Sequence, residues 1–207
     1  MARSLLDNDQ YKLQFAGHET FPLRYGWLKK AYSAVSKATS TDDADANAVF
    51  SDESSIAVFG VGKNMVVSMR HWALAAGVIH LVEADGAGRF GRLVPTDFGK
   101  LLLEEADPYL EHPGSLWLIH WHFTAVPGRT TTWYWAFNEL NEPNIDRELL
   151  TDRLLRRIAA LRELGRMKES RITGTTIRRD IECFVRTYLV RPASGRSVHE
   201  DNLESPL

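Results

Sequence analysis

Residues 60 to 79, GVGKNMVVSMRHWALAAGVI, place Gly60 and Gly62 before a run of helix-forming residues and Gly77 after it. Glycine tolerates the positive φ that a tight turn or a helix C-terminus requires, so this spacing predicts a short, sharply bounded helix between two corners. The glycine pair beside Lys63 also raises the question of a phosphate loop. A P-loop needs a glycine five positions before Gly62 and a hydroxyl after the lysine, and Ala57 and Asn64 stand there instead. A dinucleotide fingerprint needs a third glycine at position 65, which is Met65. Both nucleotide readings fail, and the glycines are read as turn residues.

The predicted helix runs from about Met65 to Ala76 with Asn64 as its cap. On a wheel of about 100° per residue, Val66, Met69, Trp72, Ala73 and Ala76 share one arc. Asn64, Val67, Ser68 and His71 lie on the other, with Arg70 at the border. Upstream, Trp27, Leu28, Ala31 and Val35 recur at helical spacing within 25–38. A small, acidic, aperiodic stretch at 39–48 reads as a loop, and Ser51 and Asp52 are cap candidates for a short helix ending at Gly60. Downstream, two strand-like runs flank Asp85-Gly86-Ala87-Gly88, a hairpin tip carrying Arg89 and Arg92, and Thr96 caps a closing helix. Helix, short helix, helix, hairpin and helix is the order of a winged helix-turn-helix. In that fold the third helix enters the major groove and the hairpin reaches phosphates.

The second half has another character. Trp117, Trp121, Trp133 and Trp135 fall within 107–143, between proline and glycine punctuation, and predict two packed elements, helices or strands. Residues 146–164 read as a helix, and another begins at Thr175 or its neighbour. Between 151 and 190 there are ten Arg or Lys against five Asp or Glu. The expected organisation is mainly α: a winged helix-turn-helix over 1–106, a helical tryptophan-rich part over 107–190 and a polar tail over 191–207.

With 207 residues, 44% apolar and 25% charged, the chain is long enough to bury one good core or two modest ones. The single Cys183 excludes an intramolecular disulfide framework, and its helical position between Ile181 and Phe184 predicts a buried thiol. With no long apolar stretch and no leader, the expectation is a soluble, cytoplasmic protein without membrane contact. The net charge of −2 leaves nucleic-acid binding to the local distribution of charge.

If the first unit binds DNA, Lys63, Asn64, Ser68, Arg70 and His71 act from the recognition helix and Arg89 and Arg92 from the wing. Asn and Arg pair with base edges, and Lys and Ser contact phosphates. The alternative is a protein-docking module whose polar face is merely solvated. Arg153, Arg156 and Arg157 fall within about 100° of one another and, with Arg178 and Arg179, would add phosphate contacts unless they form a solvated mixed-charge face. Asp180 and Glu182 would then neutralise Arg178 and Arg179. His120 and His122 share one side only if their segment is a strand, the single case in which they suit a metal. The expectation is no metal and no cofactor. His18, Glu19 and Arg24 in GHETFPLR lack the second histidine of a zinc protease. They form either an acid-base or phosphate-binding cluster or a hydrogen-bonded clasp packing the N-terminus onto the first helix, the preferred reading.

Five blocks, FAGHETFPLRYGWLKKAY, FGVGKNMVVSMRHWALAAGVI, DPYLEHPGSLWLIHWHF, TTTWYWAFNELN and TTIRRDIECFVRTY, resemble in order the bacterial family called domain of unknown function 4007, over 15–190. Members tend to be encoded beside genes for DNA phosphorothioation and relatives of phosphoadenosine phosphosulfate reductase. The resemblance implies a role in DNA sulfur modification or phage defence and no established catalytic residues. Members usually continue beyond the point where this sequence stops, so a short or truncated member is expected. The leading expectation is a non-catalytic accessory protein that binds double-stranded DNA. The alternatives are an adaptor docking a reductase-like sulfurtransferase through the tryptophan-rich half, and a nuclease-like enzyme centred on His18 and Glu19. A homodimer is a further expectation, with no heptad or zipper visible.

Overall fold

A computed structural model describes residues 4–40, 48–50, 54–82, 91–167, 172–189 and 207. Helix α1 (Trp27–Ser40) buries Trp27, Leu28, Ala31 and Val35, the stripe its spacing predicts, together with Tyr32 and Ala38. Short helix α2 (Ser54–Phe59) ends at Gly60, whose φ of 66° lies in the left-handed region. Helix α3 (Lys63–Ala75) follows and stops before Gly77, at φ 70°. Asn64 is not its cap. Gly62, in extended conformation, takes that place without a side-chain bond, and its carbonyl accepts from the amides of Met65 and Val66 at 2.9 and 3.1 Å.

Strands β1 (Ile79–Val82) and β2 (Arg92–Pro95) pair antiparallel, Ile79 opposite Pro95 and Val82 opposite Arg92. The predicted hairpin tip at 85–88 and Arg89 lie outside the described residues, as do Ser51, Asp52 and the tail to residue 206. Thr96 caps α4 (Asp97–Lys100) by accepting from the Gly99 amide at 2.9 Å. Its hydroxyl also donates to the Gly77 carbonyl at 2.6 Å and so fastens the closing helix to the end of α3. The chain then continues through a wide turn, Leu101–Ala106.

The tryptophan-rich segment is helical: α5 (Pro113–Thr124) and α6 (Thr131–Asn138). Helix α7 (Arg147–Glu163) buries Leu150, Leu154, Ile158 and Leu161, and α8 (Gly174–Tyr188) is capped by Thr173, just before the predicted Thr175. The described structure is mainly helical with one two-stranded sheet. Among the described residues no helix is long and apolar enough to cross a membrane.

The buried apolar side chains form one connected core through both halves. Trp72 of α3 is its hub: its ring lies 5.1 Å from Phe123 of α5 and 5.3 Å from Trp133 of α6, centroid to centroid. All three are 0–1% exposed. Burying such a ring stabilises the fold by roughly 2–3 kcal/mol. The N-terminal segment crosses the same divide. Arg166 donates to the carbonyls of Leu6 and Tyr11 at 3.0 and 2.7 Å, which holds residues 4–14 beside the end of α7 before the chain enters α1.

Candidate functional site

The segment from Gln14 to Phe21 is where three helices, α3, α6 and α8, meet. Ala16, Gly17, Glu19 and Thr20 all have positive φ, of 61°, 104°, 47° and 68°. Each non-glycine residue held there costs of order 1 kcal/mol, so the loop persists only because its surroundings over-determine it. Asp180 of α8 is the anchor. Its carboxylate accepts from the Ala16 amide at 2.9 Å, from the His18 ring at 2.6 Å and from the Thr132 hydroxyl of α6. The Thr20 amide donates to His18 Nδ1 at 3.1 Å, which leaves Nε2 as the nitrogen donating to Asp180. From α3, Trp72 Nε1 and Ser68 Oγ donate to the Phe21 carbonyl at 2.9 and 3.4 Å.

This network corrects several expectations. His18 is 1% exposed while Glu19, next to it, points to solvent, so the pair does not form an acid-base site. Arg24 lies over the rings of Phe21 and Trp27 at 5.5 Å from each. The clasp exists and reaches further than predicted: Arg24 packs on Trp27 of α1, and the loop is also bonded to α3, α6 and α8. Asp180 does not neutralise Arg178 and Arg179 at the surface; it is 2% exposed and occupied inside.

On α3, Ser68 and His71 are 0% and 4% exposed, because the Gln14-to-Phe21 loop covers the side that the wheel assigned to solvent. Both sit beneath that loop and not on the open face of the helix. His71 stands 5.8 Å from His18 and 5.1 Å from Trp72, centroid to centroid and edge to face. Burial, first, and then the proximity of His18 and Arg129 hold its pKa well below the ordinary histidine value. What remains open on α3 is a narrow edge: Lys63, Asn64 and Val67 exposed, Arg70 half-buried. Arg92 is exposed on β2.

The arginines of α7 are paired. Arg153 meets Glu142 at 2.6 Å and Arg156 meets Asp152 at 3.0 Å. Arg157 meets Asp7 at 2.8 Å and Glu139 at 2.7 Å with its side chain 19% exposed, so its guanidinium ties the N-terminal segment to the end of α6 and is not offered to phosphate. Arg178 and Arg179 are exposed on α8.

His120 and His122 lie on α5, so they project about 200° apart and share no ligand position. His120 hydrogen-bonds Tyr188 at 2.9 Å, and His122 packs on the Phe98 ring at 4.4 Å. Burial lowers the pKa of both. Among the described residues no three or more His, Cys, Asp or Glu side chains stand together as a metal site. Cys183 is buried, as its position predicts.

Thr132 and Arg129 are residues missed by reading the sequence, and Asp180 was given the wrong role. A signal for Asp180 was present: at helical spacing it shares the face of Ile177, Ile181 and Phe184, where a carboxylate needs a partner. Arg129 gives no such signal, since a lone arginine in PGRTTT reads as an ordinary loop residue.

The family model described as "Protein of unknown function (DUF4007)" matches residues 15–207. Two solved structures are similar to the chain. One, described as a magnesium ion-bound SspB crystal structure, superposes with a TM-score of 0.71 at 31% identity, covering 89% of this chain and 51% of that one. The other, an SspB crystal structure, gives 0.72 at 31% identity, covering 92% of this chain and 53% of that one. The chain therefore spans about half the length of the solved chains it resembles. No curated protein matches.

Proposed function

The chain belongs to the DUF4007 family, and on that premise we propose that it is a DNA-binding accessory protein of a bacterial DNA sulfur-modification or phage-defence system. The first half is read as a winged helix-turn-helix: α1, α2 and α3 followed by the β1–β2 hairpin and α4. One observation carries the reading. Helix α3, lifted at the Gly60-Gly62 corner, leaves open the edge that bears Lys63, Asn64 and Arg70, and residues 60–80 contain no Asp or Glu. A basic edge without acidic neighbours, with Arg92 on the adjoining hairpin, suits the sequence-independent phosphate contacts on which DNA affinity rests.

The test is duplex binding by fluorescence anisotropy at several salt concentrations, with Lys63→Ala and Arg92→Ala made singly and together. Each lost phosphate contact should flatten the slope of log affinity against log salt by roughly one unit. A slope unchanged in the double variant removes the edge from any DNA contact. The same duplex with sulfur in its backbone shows whether the modification itself is preferred.

A second reading is favoured by a different face. Tyr109, Trp117, Trp121 and Phe137 are 51–71% exposed, and Trp117 and Phe137 line a cleft with Leu116, His120 and Tyr188. Exposed aromatic clusters of this kind mark docking surfaces. On this reading the chain is an adaptor for a reductase-like sulfurtransferase. Copurification with such a protein, lost on Trp117→Ser with Trp121→Ser, would establish it.

A further inference from the structure

Arg70 and Arg129 come from distant parts of the sequence and meet beside the clasp. The route is set by bonds on either side of Gln14. Its amide donates to the Gly128 carbonyl and to Thr131 Oγ1, each at 3.0 Å, which seats the turn before α6 against the N-terminal loop. A Cβ on Gly17 would clash with the Gln14 side-chain nitrogen and stand 2.9 Å from His71 Nδ1, so the same loop lies directly on α3. Arg129 is thereby brought to Arg70 and His71.

Three features of this cluster are unusual together. Both guanidiniums are half-buried, yet among the described residues neither makes a hydrogen bond or ion pair. They are also close enough to repel: burial lowers the pKa of both, and the charge of Arg70 lowers that of Arg129 further. His71 Nε2, on a ring 4% exposed, has no hydrogen-bond partner. Buried polar groups are normally satisfied, and two neighbouring cations without a counter-ion are normally avoided. The carboxylate in the adjoining network, Asp180, is already occupied by His18, Thr132 and Ala16.

The start of α6 adds to the positive potential. Thr130, at its N-cap, makes no capping bond, because its hydroxyl donates to Phe123 at 3.0 Å, while Thr131 donates to Gly128 at 2.7 Å. The first amides of the helix are left without a side-chain acceptor, on the end where the helix dipole favours an anion.

We infer that Arg70, Arg129 and His71 form a binding site for a tetrahedral oxyanion, a phosphate-type group gripped by two guanidiniums beside the His71 ring. Arginine's planar fork matches such oxygens, and an anion supplies the missing counter-charge. The site stands on the cluster itself. Only its assignment to a phosphate of the DNA backbone, rather than to a free anion, rests on the proposed function.

The experiment is calorimetric titration of the chain with inorganic phosphate at constant ionic strength, beside the variants Arg70→Leu, Arg129→Leu and, as a control on α4, Lys100→Ala. Phosphate should bind the wild type, weaken at least about tenfold in either arginine variant and change little in Lys100→Ala. Arg129→Lys, which keeps the charge but loses the fork, should fall between and covers the case in which a leucine variant fails to fold. A wild type that takes up no phosphate, or an Arg129→Leu variant that binds it as tightly, overturns the site. Adding duplex separates the sources. Displacement of phosphate by DNA assigns the site to the backbone, and simultaneous binding assigns it to a free anion. If DNA does not bind at all while phosphate does, the proposed function falls and the site remains. If DNA binds but phosphate does not, the site falls and the proposed function remains.

Discussion

Arg153, Arg156 and Arg157 on α7 each meet at least one carboxylate, whereas Arg70 and Arg129, as buried as most of them, meet none among the described residues. The two groups hold the same functional group in opposite electrostatic circumstances. On α7 the charge is spent within the chain: the guanidinium of Arg157 joins Asp7, Glu139 and its own helix, and its attraction to them outweighs the burial that would lower its pKa. Beside the clasp the charge is retained, and the fold bears its desolvation with no internal gain. Two cations kept at a cost to stability mark a place where something outside the chain supplies the return, and this is why the smaller group, not the arginine-rich helix, is the better candidate for function.

The largest effect tests the paired group. Arg157→Ala leaves Asp7 and Glu139 facing each other's charge without their cation, and loosens the N-terminal segment. Denaturant unfolding should show a loss of about 1–3 kcal/mol, discounted from the fully buried case because the side chain is partly exposed. A loss near zero would mean that pairing on α7 is incidental, and the contrast would lose one side.

The next test addresses the unpaired group. Arg129→Leu removes one of two repelling cations, so the unliganded protein should unfold no more easily than the wild type, in contrast to Arg157→Ala. It should also move His71. Because Arg129 contributes to holding that ring neutral, its pKa should rise toward the ordinary histidine value, though only in part, since burial is the larger cause. The sign for stability follows. A depressed histidine contributes its full stability above the unfolded pKa of about 6.5 and loses it as pH falls toward the folded value. In Arg129→Leu that loss ends at a higher pH and is smaller. NMR titration of the His71 ring in both proteins measures the shift. An unmoved ring would place Arg129 too far away to share a site with it.

The paired and unpaired groups also divide what could be read from the sequence. The helical stripes were legible because they are local: Leu150, Leu154, Ile158 and Leu161 recur at helical spacing and are buried in α7 as that spacing requires. The glycine corners at 60 and 77 were legible for the same reason, since positive φ is a property of the residue itself. Ser68 and His71 were misassigned because a wheel separates polar from apolar, and what buries them is a loop some fifty positions earlier, held by a carboxylate far downstream. The segment 107–143 was undecided between helix and strand because aromatic residues suit both. Arg129 was illegible altogether. Its meaning lies in its distance from Arg70 and in the lack of a partner, and neither is a pattern along the chain.

The smallest effect separates pairing that holds the fold from pairing that only decorates it. Arg156 and Asp152 form an ion pair one helical turn apart, with side chains 70% and 52% exposed. Such a pair loses little when broken, because water replaces it and two long side chains regain freedom. Arg156→Ala should therefore change unfolding stability by less than about 0.5 kcal/mol, well below Arg157→Ala one residue away. If instead Arg156→Ala weakens duplex binding and flattens its salt dependence while stability is unchanged, the exposed side of α7 also meets phosphate, and an intrachain carboxylate is no bar to an external contact. If neither stability nor binding moves, α7 offers no charge to a partner, which is the outcome that its pairing with carboxylates predicts.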